Sequence, residues 1–131
     1  MKWVSKGKKK KYSISRFFKS FPYAFQGIKT VIKTEQNFLI DIIIGVIVLV
    51  SGYFLKLNAI EFAIVLLTIT LVITLELINT AIEYTIDMAM PEIHPLAKAA
   101  KDISGAAVLF SAIISIIIGL IIYLPKIINL F

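Results

Sequence analysis

Long apolar runs separated by short polar breaks dominate the chain from Phe38 onward. Phe38 to Leu55 contains one ionisable residue, Asp41, while Phe62–Leu75 and Ile103–Leu124 contain none. About 20 consecutive apolar residues in a helix cross the hydrocarbon core of a bilayer. We therefore predict three membrane-spanning helices, over about residues 36–55, 59–88 and 97–124.

The segment before the first apolar run has a different pattern. Apolar residues recur there at helical spacing, namely Phe17, Phe21, Ala24, Phe25, Ile28 and Val31–Ile32, and the polar residues Lys19, Gln26, Lys29 and Lys33 lie among them. This pattern predicts an amphipathic helix over about residues 15–34 that lies in the membrane interface and adjusts or restarts at Pro22. Ordinary packing of the same helix against the bundle is an equal alternative.

Composition agrees with a membrane protein of the all-α class. Of 131 residues, 59% are hydrophobic and 17% are charged, whereas soluble domains are roughly 45–50% apolar and about 25% charged. The chain has no cysteine, which excludes disulfides, thiolate metal sites and a cysteine nucleophile. A soluble globule, a disordered chain and a secreted disulfide scaffold are all excluded.

Charge predicts the orientation in the membrane. Ten of the 14 basic residues precede the first carboxylate, Glu35, and loops rich in lysine and arginine stay in the cytoplasm. We predict a Lys-rich cytoplasmic tail over residues 1–14 and a membrane domain over residues 15–131, with the C-terminus outside the cell. The basic tail then faces anionic lipid headgroups, so nucleic acid is not an expected partner.

With this topology, six of the eight carboxylates fall at the cytoplasmic leaflet of the cell membrane. Glu61 falls on the opposite side, where we expect a snorkelling surface role. The six residues are Glu35, Asp41, Glu76, Glu83, Asp87 and Asp102.

Several of these carboxylates form one polar stripe on the second span. Glu76, Asn79, Thr80, Glu83 and Asp87 share a helix face by their spacing. An ionised residue in a span costs about 2.5–3.5 kcal/mol on insertion scales, so such residues usually mark function. The stripe therefore indicates a functional site.

Carboxylates at a membrane surface suit Mg²⁺ and substrate phosphates. A further carboxylate can act as a base toward a hydroxyl, and Lys101 or Arg16 can neutralise phosphate oxygens. These are the parts that phosphoryl transfer needs, although the sequence has no GxxxxGK[ST] or GxGxxG loop.

The alternatives are a small oligomeric proton- or cation-coupled transporter and a non-enzymatic membrane scaffold. Clustering of the carboxylates at one leaflet favours the enzyme over an ion relay, which has to continue across the membrane.

Three motifs resemble the prokaryotic diacylglycerol kinase family, small integral-membrane lipid kinases. They are Glu76-Leu-Ile-Asn-Thr-Ala-Ile-Glu83-Tyr-Thr-Ile-Asp87, His94-Pro-Leu-Ala-Lys-Ala-Ala-Lys101-Asp102 and Thr34-Glu35-Gln-Asn-Phe38. The resemblance covers about Ser15 to Leu124. The second motif is more similar to the Gram-positive branch, which is associated with undecaprenol. Ser104-Gly105 stands where other members have a Gly-Ser order.

The resemblance implies an ATP- and Mg²⁺-dependent kinase of a membrane lipid alcohol, with undecaprenol favoured over diacylglycerol. It also implies a homotrimer whose active sites are shared between neighbouring protomers at the cytoplasmic interface. Glu76 is then the general base, and Glu35 and Glu83 hold Mg²⁺. The implied nucleotide contacts are Arg16, Tyr23, Glu35, Glu83, Glu92, His94, Lys101 and Asp102. The implied lipid contacts are Arg16, Phe25, Asn37, Asp41, Glu76 and Gly105, with Asn79 and Asp87 in support.

Overall fold

The computed structural model describes residues 12–131, which form four helices and no strand. The prediction of an all-α chain is confirmed for this range, whereas most of the Lys-rich tail, residues 1–11, lies outside it. The helices are α1 (Ile14–Thr34), α2 (Gln36–Phe54), α3 (Ala59–Ala89) and α4 (Pro95–Ile128).

Three of these helices, α2, α3 and α4, are long and apolar enough to cross a membrane. This confirms the three long apolar helices that the sequence predicts. With 34 residues, α4 rises about 51 Å, so it extends well beyond a hydrocarbon core about 30 Å thick.

Helices α2 and α3 form a tight antiparallel hairpin. Lys56 adopts a left-handed backbone with φ 59°. The Leu57 N–H donates to the Gly52 carbonyl at 3.1 Å and the Lys56 N–H donates to the Tyr53 carbonyl at 3.2 Å. These two bonds make a Schellman ending, in which the last carbonyls of a helix are satisfied within the turn. Four residues thus reverse the chain.

Helix α3 lies at the centre of the bundle and packs against both α4 and α2. Helices α2 and α4 meet where the Tyr123 hydroxyl donates to the Val48 carbonyl at 2.6 Å. Two glycines allow close approach to α2, because a Cβ on Gly52 would lie 2.8 Å from the Tyr123 hydroxyl oxygen and one on Gly45 would lie 2.9 Å from Ile69.

We call the two ends of the bundle the polar end and the turn end. The polar end contains the junction of α1 with α2, residues 76–89 of α3 and residues 95–105 of α4. The turn end contains the α2–α3 turn and the last two turns of α4.

Helix α1 precedes the bundle and joins it at its own C-terminal turn. A single extended residue, Glu35, separates α1 from α2, and Val31 is the buried residue of α1. The helix runs through Pro22 without a break, so the predicted restart there was wrong. Proline removes one backbone bond, to the carbonyl of Phe18 four residues earlier, and that turn is exposed. Water or headgroups can therefore satisfy the freed carbonyl.

Candidate functional site

The centre of the candidate site is Glu76 on α3. The residue is buried, with 9% of its surface exposed. The negative charges of Asp41, Glu35 and Glu83 all act on it. Four of the predicted carboxylates therefore converge at the polar end, from α2, from the α1–α2 junction and from α3.

A hydrogen bond between helices joins the residues that lie next to Glu35 and Glu83 in the chain. The Tyr84 hydroxyl donates to Thr34 Oγ1 at 3.0 Å, and the Thr34 hydroxyl donates in turn to the Thr30 carbonyl at 3.0 Å. Thr34 directly precedes Glu35, and Tyr84 directly follows Glu83. The bond thus ties together the two backbone segments that carry the predicted metal ligands.

Glu35 lies at a position where side chains often cap a helix. It occupies the N-cap position of α2, yet its carboxylate makes no capping hydrogen bond. Neither Glu35 nor Glu83 nor Glu76 forms an ion pair within residues 12–131. Their oxygens are therefore not neutralised by a lysine or arginine in that part of the chain.

Asn79 lies on the same stripe, between Glu76 and Glu83. Its Oδ1 accepts a hydrogen bond from the hydroxyl of Ser104 on α4, at 2.7 Å. Thr80, the next stripe residue, is almost fully buried. The part of the stripe from Glu76 to Thr80 therefore faces the interior of the bundle, whereas Asp87 at its end is exposed.

A cleft of about 250 Å³ opens beside the stripe, between the ends of α3 and α4. Four predicted residues line it, namely Asp87, Glu92, His94 and Lys101. Lys101 Nζ forms an ion pair with Asp87. His94 also begins α4, because its Nδ1 accepts the Leu96 N–H at 3.1 Å. That bond gives His94 a structural role at the edge of the cleft.

An apolar groove of about 490 Å³ runs between α2, α3 and α4. Asp41 lines it at the polar end and Tyr123 lines it at the turn end. Branched aliphatic side chains such as Ile44, Ile69 and Ile116 form most of the wall. The groove therefore runs along the spans and ends at Asp41, whose negative charge lies near Glu76.

Not every predicted site residue reaches these two cavities. Arg16, Tyr23 and Phe25 are exposed on α1, and Asn37 and Gly105 line neither cavity. The same holds for the stripe residues Glu76, Asn79 and Glu83 and for Glu35 at the α1–α2 junction.

Asp102 and Glu61 are both held in ion pairs. Asp102 pairs with Lys98 at 2.6 Å and lines neither cavity. Glu61 accepts the Asn58 N–H at 2.9 Å in a capping box that begins α3, and it pairs with Lys126 at 3.1 Å. Glu61 is therefore a structural residue of the turn end, and its snorkelling to the membrane surface stays a prediction.

The number of carboxylates that the site offers fits a magnesium ion that also binds a substrate. In the described range 12–131, no group of three or more acidic or histidine side chains is close enough to hold a metal by itself. Magnesium usually takes one or two protein carboxylates, with phosphate oxygens and water completing its shell. Glu35 and Glu83, both without an ion-pair partner in the described part, are a pair of this kind.

Sequence reasoning missed the polar contacts that join the helices. Ser104 and Tyr84 each donate a hydrogen bond to another helix, but a serine or tyrosine in an apolar helix gives no signal of its partner. The capping role of Glu61 did have a signal, because Asn58 followed three residues later by a glutamate is a capping-box pattern.

Comparison with known proteins supports one family. Residues 22–123 match the family described as prokaryotic diacylglycerol kinase. Undecaprenol kinase of Bacillus subtilis is 48% identical over 113 residues, which are 86% of this chain and 92% of the relative. The match therefore covers the candidate site and all three apolar helices.

Two other relatives are more distant and are named for a different lipid. A diacylglycerol kinase of Helicobacter pylori is 35% identical over 75% of this chain and 77% of its own length. The diacylglycerol kinase of Escherichia coli K12 is 29% identical over 79% of this chain and 84% of its own length. All three relatives are kinases by name, which favours the enzyme over the transporter.

Proposed function

Because this chain belongs to the prokaryotic diacylglycerol kinase family and is a lipid kinase, we propose that it phosphorylates undecaprenol with Mg²⁺-bound ATP. The observation that carries the proposal is that Glu76 is buried at the polar end of the bundle, where Asp41, Glu35 and Glu83 also lie. The 48% identity to an undecaprenol kinase supports the choice of lipid.

Glu76 is the proposed general base. The lipid hydroxyl has to lose its proton as its oxygen attacks phosphorus, and a carboxylate within hydrogen-bond reach can accept that proton. Glu76 is the most buried of the stripe carboxylates, so it suits a substrate that arrives through the membrane. Its placement on α3 keeps it at a fixed depth in the bundle.

Glu35 and Glu83 are the proposed magnesium ligands. The ion neutralises charge on the transferring phosphoryl group when it is bound. The Tyr84–Thr34 hydrogen bond supports this pairing, since it holds the adjacent backbone segments together. Neither glutamate has a basic partner in residues 12–131 that a cation would have to displace.

The cleft between α3 and α4 is the proposed nucleotide site. Glu92, His94 and Lys101 line it, and Lys101 offers an ammonium group to phosphate oxygens. In the structure, that ammonium group forms an ion pair with Asp87. Nucleotide binding would then exchange one anionic partner of Lys101 for another.

Arg16, Tyr23 and Asp102 are the proposed nucleotide contacts that one chain does not bring into the cleft. All three are exposed, so they are free to face a neighbouring copy. We propose a homotrimer in which α1 of one protomer helps to complete the site of the next. The exposed aromatic side chains of α1 also suit the membrane interface.

The apolar groove is the proposed site of the lipid chain. Undecaprenol has a long branched hydrocarbon chain and one hydroxyl, and the groove offers aliphatic walls that lead to Asp41. Phe25, Asn37, Asp41 and Gly105 are the proposed lipid contacts besides Arg16 and Glu76. The site would lie at the cytoplasmic face of the cell membrane, where ATP is available.

Turnover of two lipids by the purified protein in detergent micelles tests the proposal. We expect ADP release that requires both Mg²⁺ and added lipid, and a higher kcat/KM with undecaprenol than with dioleoylglycerol. Radiolabel from γ-phosphate has to appear in the extracted lipid. No ADP release with either lipid would overturn the function, and a higher kcat/KM with dioleoylglycerol would overturn the choice of undecaprenol.

A further inference from the structure

Ser104 makes a polar contact between helices that the proposed roles leave unexplained. It lies on α4 with 8% of its surface exposed. Its hydroxyl donates to Asn79 Oδ1 at 2.7 Å, and the carbonyl of Lys101, at 3.0 Å, is its other acceptor. A hydroxyl has a single hydrogen, so the shorter bond, to Asn79, competes with the longer one inside the helix.

The bond to Ser104 fixes which way the amide group of Asn79 points. Its oxygen accepts from Ser104, so its two N–H groups are directed elsewhere. Asn79 lies three residues after Glu76 and four before Glu83, and side chains at these spacings are neighbours on one helix face. Neither amide N–H group donates a hydrogen bond within residues 12–131, so both are available to a ligand beside the stripe.

The opposite orientation of the amide is electrostatically poor. If the amide turned by half a revolution, Ser104 would donate to Lys101 and accept an N–H from Asn79. The Asn79 oxygen would then face the side of Glu76 and Glu83, where it would oppose two carboxylates. Low local dielectric makes such a mismatch costly.

We infer that Ser104 is a positioning residue of the kinase: it holds the Asn79 amide so that its N–H groups face the acidic stripe and the phosphoryl group passing between Glu76 and Glu83. This inference rests on the proposed function, because it assigns the stripe to phosphoryl transfer. The phosphoryl oxygens carry the developing charge in that reaction, and oriented donors stabilise them.

The chain contains a closely matched control for this role. Ser111 lies on the same helix seven residues later and is also buried, at 5% exposure. Its hydroxyl donates to the Val108 carbonyl of its own helix at 2.7 Å. Replacing Ser104 or Ser111 with alanine therefore removes a buried hydroxyl from α4 in each case, but only the first change releases Asn79.

Kinetics of these variants in detergent micelles provide the first test. We expect Ser104→Ala to lower kcat about tenfold, the equivalent of about one net hydrogen bond in the transition state, with the KM for ATP unchanged. Ser104→Thr keeps the hydroxyl and is expected to restore most of kcat. Ser111→Ala is expected to match the unmodified chain. In an Asn79→Ala background, Ser104→Ala is expected to have no further effect.

A spectroscopic test separates the inference from the proposed function. The chain has four asparagines, Asn37, Asn58, Asn79 and Asn129, so ¹⁵N-asparagine labelling gives few side-chain signals, and the signal lost in Asn79→Ala is that of Asn79. We expect this signal to shift in Ser104→Ala and to stay in place in Ser111→Ala. The measurement needs no lipid turnover, so it holds even if the unmodified chain phosphorylates neither lipid.

Three results would each overturn the role of Ser104. They are full kcat in Ser104→Ala, the same fold loss with and without Asn79, and an unmoved Asn79 signal. If Ser104→Ala does not fold, Ser104→Cys keeps the side-chain size with a weaker donor, and a loss of kcat smaller than tenfold is then expected. Full kcat in a folded Ser104→Cys variant would likewise overturn the role.

Discussion

The two ends of the helix bundle treat their glutamates in opposite ways. At the turn end, Glu61 satisfies the first turn of α3 and pairs with Lys126. At the polar end, two aspartates pair with lysines of α4, but Glu35, Glu76 and Glu83 form no ion pair within residues 12–131. Charges that are satisfied within the chain stabilise the fold, whereas charges without partners cost stability and are available to a substrate. The comparison supports a structural role for Glu61 and the proposed chemical role for the three glutamates of the polar end.

Replacing the central carboxylate gives the sharpest test of this division. We expect Glu76→Gln to lower kcat by about 10²–10⁴, the usual contribution of a general base. Its thermal stability in detergent is expected to stay the same or rise, because the change removes one negative charge from a group of four. Lipid-dependent ADP release and thermal unfolding measure the two effects. Full kcat in Glu76→Gln would show that Glu76 is not the base.

Replacing Gly52, at the turn end, with alanine is expected to have the next largest effect. The expected effect is a loss of stability. A Cβ at Gly52 would lie 2.8 Å from the Tyr123 hydroxyl oxygen and 3.2 Å from Leu57. We expect Gly52→Ala to lower the free energy of unfolding by about 1–3 kcal/mol, as overpacking usually does, and Tyr123→Phe to recover part of this loss. Unfolding in a denaturing detergent series measures both changes.

The same substitution elsewhere provides the control. A Cβ at Gly119 meets no atom within 4 Å, so Gly119→Ala is expected to leave stability unchanged or to raise it. Equal losses of stability at Gly52 and Gly119 would show that the close approach to Tyr123 does not matter.

Changes at Glu61 are expected to have the smallest effect and to leave catalysis intact. Glu61→Ala removes both the capping bond to the Asn58 N–H and the ion pair with Lys126. We expect a small decrease in the free energy of unfolding, with kcat of the folded protein unchanged. Glu61→Gln keeps a capping acceptor, so its loss is expected to be smaller. A drop in kcat with stability preserved would contradict the division between the two ends.

The sequence predicts the helices well because its signals for them are local. Long uncharged runs predict the three apolar helices, and the spacing of Glu76, Asn79 and Glu83 predicts one functional stripe. The predicted order and direction of the spans alone place Asp41 at the same end of the bundle. Each of these predictions depends on residues within one helix or on the order of the helices.

Contacts between helices escape prediction for a physical reason. Whether Ser104 meets Asn79, or Tyr84 meets Thr34, depends on the rotation and axial position of two helices to within a few ångström. Apolar helices with many similar side chains leave these two quantities undetermined in the sequence pattern. The structure supplies them.

The two close approaches along α2 set the axial position of Glu76, the proposed base, from a distance. Gly45 contacts Ile69 and Gly52 contacts Phe62, so both helices repeat the contact after seven residues. One more step of seven along each helix leads to Phe38 on α2 and Glu76 on α3. Phe38 is the most deeply buried large side chain, at 1% exposure. Any slip between the helices that is not a whole repeat would drive side chains into the glycine positions. The lack of a side chain at Gly45 and at Gly52 therefore fixes the depth of Glu76 in the membrane.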